Sequence, residues 1–361
     1  MVRLSREQLE KKGRNTGFND CDLRNLDLSY LDFRNVGFCR ANLSGANLSG
    51  ANLSCANLSD ANLSGANLSD TNLSGANLSG ANLSKVNFSG AILNEAIFIN
   101  ANLSYAELGK ANLRGINISK GNLHGVNLSR AVLDKADLRE TNLTEANLSY
   151  ADLIGVNLTG ANLNNVNLTG ANLREANLSG ADFGNVKGKN LQVAFWGEAN
   201  LSGMDLSGID LSGGIELNGA DLSNTNLSNA NLENACLSHA KLNGAILEEA
   251  DLSYAFLNGA NLTCARLYNA SLRGTDLDEA NLSYAYLSGA CLLDADFKEA
   301  KTINLSLSEK YNNQVTELSL KTFSLAQLET MCFSSFVHKL IMAKTNLSLC
   351  QSNWLLCKKS V

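Results

Sequence analysis

The chain has no proline in 361 residues. A backbone built entirely from residues with a free N–H suits a fold in which most amides serve hydrogen bonds between segments. Charged residues are few, 18% of the total, with a net charge of −6. That balance excludes a strongly basic nucleic-acid-binding domain. Aromatics make up 6%, and the three histidines, His124, His239 and His338, lie far apart. Nine cysteines occur without a CxxC pair or a Cys/His cluster. This spacing predicts no metal site and no cofactor, and it fits free thiols in a reducing cytosol. No apolar run reaches the ~18 residues of a membrane span, and the N-terminus does not read as a signal peptide, so a cytoplasmic protein is expected. No Ser/His/Asp, Cys/His or paired-carboxylate arrangement stands out, so no catalytic residue is assigned and the chain reads as a non-enzyme.

What the chain does have is a period of five. Residues Ala41 to Lys85 read ANLSG ANLSG ANLSC ANLSD ANLSG ANLSD TNLSG ANLSG ANLSK. An α-helix turns ~100° per residue, so leucines five apart would wander around it. A flat strand alternates faces, so an odd period would throw Leu43, Leu48 and Leu53 to opposite sides. A chain that bends by a fixed angle once per unit keeps them on one axis. The fifth position supplies the bend: Gly45, Gly50, Gly65, Gly75 and Gly80, with Asp60 and Asp70 in the same place, all residue types that tolerate positive φ. The expected fold is therefore a solenoid.

This A(N/D)LSX unit resembles the pentapeptide-repeat proteins. The resemblance implies an all-β solenoid, a right-handed quadrilateral β-helix with four units per coil. The central Leu or Phe and the Ala two before it would point inward, and the other three positions outward.

Five segments follow from the register. Residues 1–15 are not repeat. Ser5 and Gln8 form a capping box, Leu4 and Leu9 a hydrophobic staple, and Lys11, Lys12 and Gly13 suit a helix end, so a short capping helix is expected. Residues 16–185 hold 34 units in unbroken register, with Phe18 and Phe38 four units apart. Residues 186–198 break the register, and Trp196-Gly197-Glu198 reads as a three-residue excess forming a bulge. Residues 199–299 hold 20 more units, with Gly214 a single insertion. At ~4.8 Å per coil the whole would be a rod of roughly 65 Å. Residues 300–361 are decayed repeats and a tail, with one helix expected over Ser324–Lys339.

Phe195 and Trp196 are conspicuous in so aromatic-poor a chain. One reading has them patch a defective coil. The other makes them a partner contact, because exposed aromatics anchor interfaces. The tail likewise reads either as a C-terminal cap or as a homodimer contact.

The main functional expectation is a non-catalytic structural or interaction scaffold, a stiff rod recognised by an unidentified protein partner, without direct nucleic-acid binding. The alternative is a DNA-mimicking inhibitor or protector of a topoisomerase (gyrase), as in one branch of the family. That reading needs a coherent acidic stripe. The second block carries 14 Asp/Glu against 4 Lys/Arg, but its clusters at Glu248-Glu249-Asp251, Asp276-Asp278-Glu279 and Asp294-Asp296 fall on three different faces when units are counted in fours, with only Asp276/Asp278/Glu279 and Asp296/Glu299 stacked on one side. An ice- or surface-binding face made of Asn and Ser ladders is a third reading, disfavoured by the charges that interrupt the rows.

Overall fold

The computed structural model describes residues 8, 9, 11, 17–184, 194–306 and 327. They fall into two compact units, Met1–Ala199 and Asn200–Val361. In both, each pentapeptide follows one local course: an inward residue, a bridged residue, a second inward residue, and a two-residue turn. Parallel bridges join second-position residues, most of them to the equivalent twenty positions on, from Asp22 to Asn42 to Asn62 and onward. The fold is a repeat β-helix.

One pentapeptide accounts for all five of its backbone donors, as the unit Ala41-Asn42-Leu43-Ser44-Gly45 and its neighbours show. Asn42 N–H donates to the Cys21 carbonyl in the preceding coil, and Leu43 N–H to the Asn62 carbonyl in the next. Gly45 N–H donates to the Ser64 carbonyl, and Ala46 N–H closes the turn onto Leu43. The fourth donor, Ser44 N–H, has no backbone partner and is taken by Asn42 Oδ1 at 3.2 Å. The second position is therefore Asn or Asp for a physical reason: the turn needs a side-chain acceptor two residues back. Proline at any of the five positions would delete one of these bonds.

Two exceptions to this rule are compensated from the neighbouring coil. Gly37 and Cys236 occupy second positions and offer no such acceptor. There the fourth-position N–H of Cys39 is bonded by Asn19 Oδ1 at 2.9 Å, and that of Ser238 by Asn218 Oδ1 at 3.1 Å. Both acceptors sit at the fourth position one coil earlier.

The core consists of central Leu and Phe with the flanking Ala, nearly all fully buried. Phe18 and Phe38 stack at 5.1 Å between centroids, with Phe33 edge-on to both. Buried threonines at the Ala position are satisfied: the Thr71 hydroxyl donates to the Leu48 carbonyl at 2.9 Å, and that of Thr275 to Leu252 at 2.8 Å.

The corner departs from expectation in one respect. Among the described residues, positive φ recurs at the fifth position, and 35 non-glycine residues adopt it, including Tyr30, Arg40, Lys85 and Glu95. Left-handed backbone costs an L-residue roughly 1–2 kcal/mol, but the fifth-position N–H bonds to the next coil, as Arg40 to Ser59 and Lys85 to Ser104 at 2.9 Å, hold it there. Glycine is thus permissive at this corner, not required.

The register break also differs from its sequence reading. Ala194-Phe195-Trp196-Gly197-Glu198 is a regular unit: Phe195 bridges to Asn172, and Glu198 takes the corner φ of 60°. Phe195 stands 23 residues after Asn172, so the three surplus residues fall before Ala194 and not at Trp196-Gly197-Glu198. The segment 185–193 lies outside the described residues. In the second unit, Gly213 and Gly214 both adopt positive φ, 81° and 85°. They absorb the insertion by stretching three steps to 21 residues, as in Asp210 to Asn231, before the step returns to 20 at Glu216 and Cys236.

At the ends, Gln8, Leu9 and Lys11 are helical or flank helix, and Leu9 is buried. The expected capping box at Ser5 and stop at Gly13 lie outside the described residues, as do most of the expected helix 324–339 and the tail proposed to dimerise. Gln327 is described: its Nε2 donates to the Phe297 and Ala300 carbonyls at 2.7 and 2.9 Å. The Ala300 carbonyl is the acceptor that a further coil would have used, as Asn62 N–H uses the Ala41 carbonyl, whereas the Phe297 carbonyl also closes its own turn onto Ala300 N–H.

Candidate protein-contact site

The two residues singled out in the sequence part company in the structure. Trp196 takes the central position of its unit and is 2% exposed, with its ring 6.1 Å from Phe183. It is a core residue and cannot serve as an exposed anchor. Phe195 takes the outward second position and is 46% exposed. The sequence reading missed this split because it closed a degenerate unit at Phe195 and put Trp196 in a three-residue excess, whereas the centre of a coil accepts any large apolar side chain.

Other exposed aromatics went unremarked in the sequence. Tyr30, Tyr105, Tyr150, Tyr254 and Tyr284 occupy corners. Phe256 and Tyr286 occupy outward second positions. Arg130 lies 5.5 Å over the Tyr150 ring and Arg273 5.8 Å over Tyr254. Tyr268 and Tyr286 stack at 5.8 Å. The Tyr105 hydroxyl meets His124 Nε2 at 2.8 Å, and Glu145 lies 3.9 Å from the same nitrogen. The twenty-residue step places these partners together: Tyr105 and His124 are 19 apart, and Tyr268 and Tyr286 are 18 apart.

Charges in the first unit largely cancel locally. In each D-x-R unit the arginine folds onto its own aspartate: Arg24 on Asp22, Arg34 on Asp32, Arg139 on Asp137. The Arg24 side-chain hydrogen bonds hold the Asp22 carboxyl down at about 2, and Arg139 depresses Asp137 in the same way. Across coils, Arg40 pairs with Asp20 and Arg114 with Asp134. In the second unit the column Glu216, Cys236, Phe256, Asp276, Asp296 is joined bridge by bridge, and it is acidic at its C-terminal end. Among the described residues, no group of three His, Cys, Asp or Glu could hold a metal ion, and no helix is long and apolar enough to cross a membrane. The six described cysteines are free.

The family model described as Pentapeptide repeats (8 copies) matches residues 18–54, 41–80, 56–94, 81–119, 122–160, 151–187, 214–244, 240–278 and 260–299. These matches span well over half of the chain, which belongs to the pentapeptide-repeat family. Among solved structures it is similar to HetL of the cyanobacterium Nostoc sp. strain PCC 7120, a pentapeptide-repeat protein involved in heterocyst differentiation regulation. Identity is 28% over 82% of this chain and 97% of that one, with a TM-score of 0.21. It is also similar to QnrB1, a plasmid-mediated fluoroquinolone resistance protein, at 18% identity over 76% and 94%, TM-score 0.21. A third similar structure is Rfr23 of the cyanobacterium Cyanothece 51142, at 26% over 45% and 83%, TM-score 0.19. No curated protein matches the chain.

Proposed function

We propose that this protein is a non-catalytic scaffold of the bacterial cytoplasm, each of its two units a stiff, right-handed, four-sided coil with faces read by a protein partner. The observation that carries this reading is how the outward polar groups are used. Second-position Asn side chains bond the turn amides, as Asn42 bonds Ser44, and bond one another between coils, as Asn122 bonds Asn102 at 3.1 Å. These rows stabilise the surface and make it a flat ground of paired polar groups. Against that flat ground stand exposed aromatics such as Phe195, Phe256 and Tyr286, residue types that anchor protein interfaces. The free cysteines fit a reducing compartment.

The gyrase-directed reading is favoured by the acidic second unit alone. One experiment separates the two: the full chain as bait in reducing bacterial lysate, at low and high salt, with bound proteins identified by mass. A protein retained at high salt and lost on Phe195→Ser or Phe256→Ser supports the scaffold. Gyrase recovered at low salt and lost at high salt overturns it in favour of DNA mimicry, because that contact is mainly electrostatic. A blank at both salts overturns both.

A further inference from the structure

The proposed scaffold has one face in the second unit on which aromatic and acidic side chains follow one another coil by coil. Phe256 is 48% exposed at an outward second position, and Tyr254, 43% exposed, stands at the corner just before it. One coil on comes Asp276, and one coil further Asp296, joined to Phe256 by consecutive bridges. Asp278, Glu279, Asp294 and Glu299 flank them. Residues 275–299 carry six Asp or Glu against one Lys. Both key carboxylates are held in place: Asp276 Oδ1 accepts from Asp278 N–H at 3.0 Å, and Asp296 Oδ1 from Lys298 N–H at 2.9 Å.

Nearby cations offset only part of this excess, Lys298 lying between Asp278 and Glu299. The four basic residues of 199–299 are each engaged: Lys241 with Asp221, Arg266 with Glu248, Arg273 over Tyr254, and Lys298 with Asp278. Among the described residues, no ion pair reaches Asp276, Glu279, Asp294 or Asp296.

Geometry narrows the kind of partner. Along the column, side chains recur at roughly 4.8 Å per coil. A helix lying parallel to the column presents residues i, i+4 and i+7 on one face at roughly 0, 6 and 10.5 Å. That matches Phe256, Asp276 and Asp296 at roughly 0, 4.8 and 9.6 Å. An extended segment, with same-face residues every ~6.7 Å, falls out of step. We infer that this face receives a cationic amphipathic helix of a partner protein, which sets an apolar residue on Phe256 and Tyr254 and basic residues at i+4 and i+7 on Asp276 and Asp296. The inference rests on the scaffold reading and names one of its faces.

The test uses the full chain and a labelled 18-residue Ala/Gln helical peptide with Leu at position 6 and Lys at positions 10 and 13. Its control has the same composition with the lysines moved to positions 8 and 15, on the opposite side. Fluorescence anisotropy at low salt is expected to show binding about tenfold tighter than the control, with Phe256→Ala and the double variant Asp276→Asn/Asp296→Asn each weakening it about tenfold. Asn is the usual residue at that position and keeps the turn acceptor, so the double variant folds. Glu233→Gln/Asp251→Asn, on another face, should leave binding unchanged. Equal binding of both peptides, or equal loss in the Glu233/Asp251 variant, would reduce the contact to non-specific charge and overturn the inference. Self-association in sedimentation that disappears in the Asp276/Asp296 variant would assign the face to a second copy. Carbodiimide cross-links from Lys339, Lys344, Lys358 or Lys359 to Asp276 or Asp296 within one chain would assign it to the chain's own C-terminal stretch. Either result would overturn it too. If the peptide fails to bind while the lysate experiment still recovers a salt-resistant partner, this face is wrong and the scaffold stands.

Discussion

The role of the second position can be tested at Asn102. Its Oδ1 accepts from the Ser104 N–H at 3.1 Å and from Asn122 Nδ2 at 3.1 Å, while its own Nδ2 donates to Asn82 Oδ1 at 3.3 Å. Asn102→Ala removes all three bonds and leaves the turn amide without an acceptor. Each exchanged bond contributes about 0.5–1.5 kcal/mol, and these groups are half exposed, so the low end applies and the sum is about 2 kcal/mol. Asn102→Asp keeps the acceptor for Ser104 and for Asn122, and loses only the donation to Asn82. Its expected cost is about 0.5–1 kcal/mol. The assay is amide hydrogen exchange, which reads the site locally in a fold where coils can open separately. Protection of the Ser104 amide should fall at least tenfold in the Ala variant and stay within about threefold of the parent in the Asp variant. Equal loss of protection in both would refute the claim that the side-chain acceptor dictates Asn or Asp at this position.

Three further outcomes are expected. Trp196→Ala should lower the stability of its unit by about 3–5 kcal/mol in urea unfolding, whereas Phe195→Ser should change it by less than about 0.5 kcal/mol; similar effects would show that the two residues are not core and surface. Gly50→Ala should cost more than Gly65→Ala. Both sit at positive φ, but a Cβ at Gly50 meets the Tyr30 ring at 2.5 Å and one at Gly65 meets nothing within 4 Å. Both variants therefore lose about 1 kcal/mol to backbone strain, and only the first is eased by removing the Tyr30 ring. The Asp22 carboxyl, held at about 2 by Arg24, lends its stabilisation above the ordinary carboxylate range near pH 4 and loses it as pH falls towards 2. In Arg24→Gln, a carbon-detected NMR titration should find it raised towards the ordinary range, the backbone N–H of residue 24 still holding it partly down, and an unmoved midpoint would refute the pairing.

Most of the fold was legible in the sequence because a five-residue period with Leu at its centre admits few chain paths. Leu43, Leu48 and Leu53 are all buried, as the bend required. The misreadings share one cause. The sequence reading let residue type fix role, with Gly, Asp or Asn for the corner and Trp196 for a bulge outside the repeat. In the structure, position fixes role. Hydrogen bonds between coils hold Tyr30 and Lys85 in the same corner conformation as Gly45, and the coil centre holds Trp196 where it holds leucine elsewhere. Contacts across the step, such as Tyr105 with His124, were equally present in the sequence. They become visible only when the chain is written in rows of twenty. Of the candidate contact residues, Phe195 was legible as an aromatic in a poor background. Phe256 was not, because it sits in an otherwise ordinary unit.

The twenty-residue step has a consequence for how such a chain can change. Within the first unit, deleting or duplicating one whole row would shorten or lengthen the coil and keep every later residue on its own side. Deleting a single pentapeptide such as Ala61–Gly65 would remove no distinctive side chain, since its neighbours repeat it almost letter for letter. Yet it would shift every later residue of that unit onto the adjacent side, and neighbours such as Tyr150 over Gly170 would keep their contact while both faced a new direction. A copy-number change in the most featureless part of the sequence is thus a way to re-aim the surface without altering any residue that forms it.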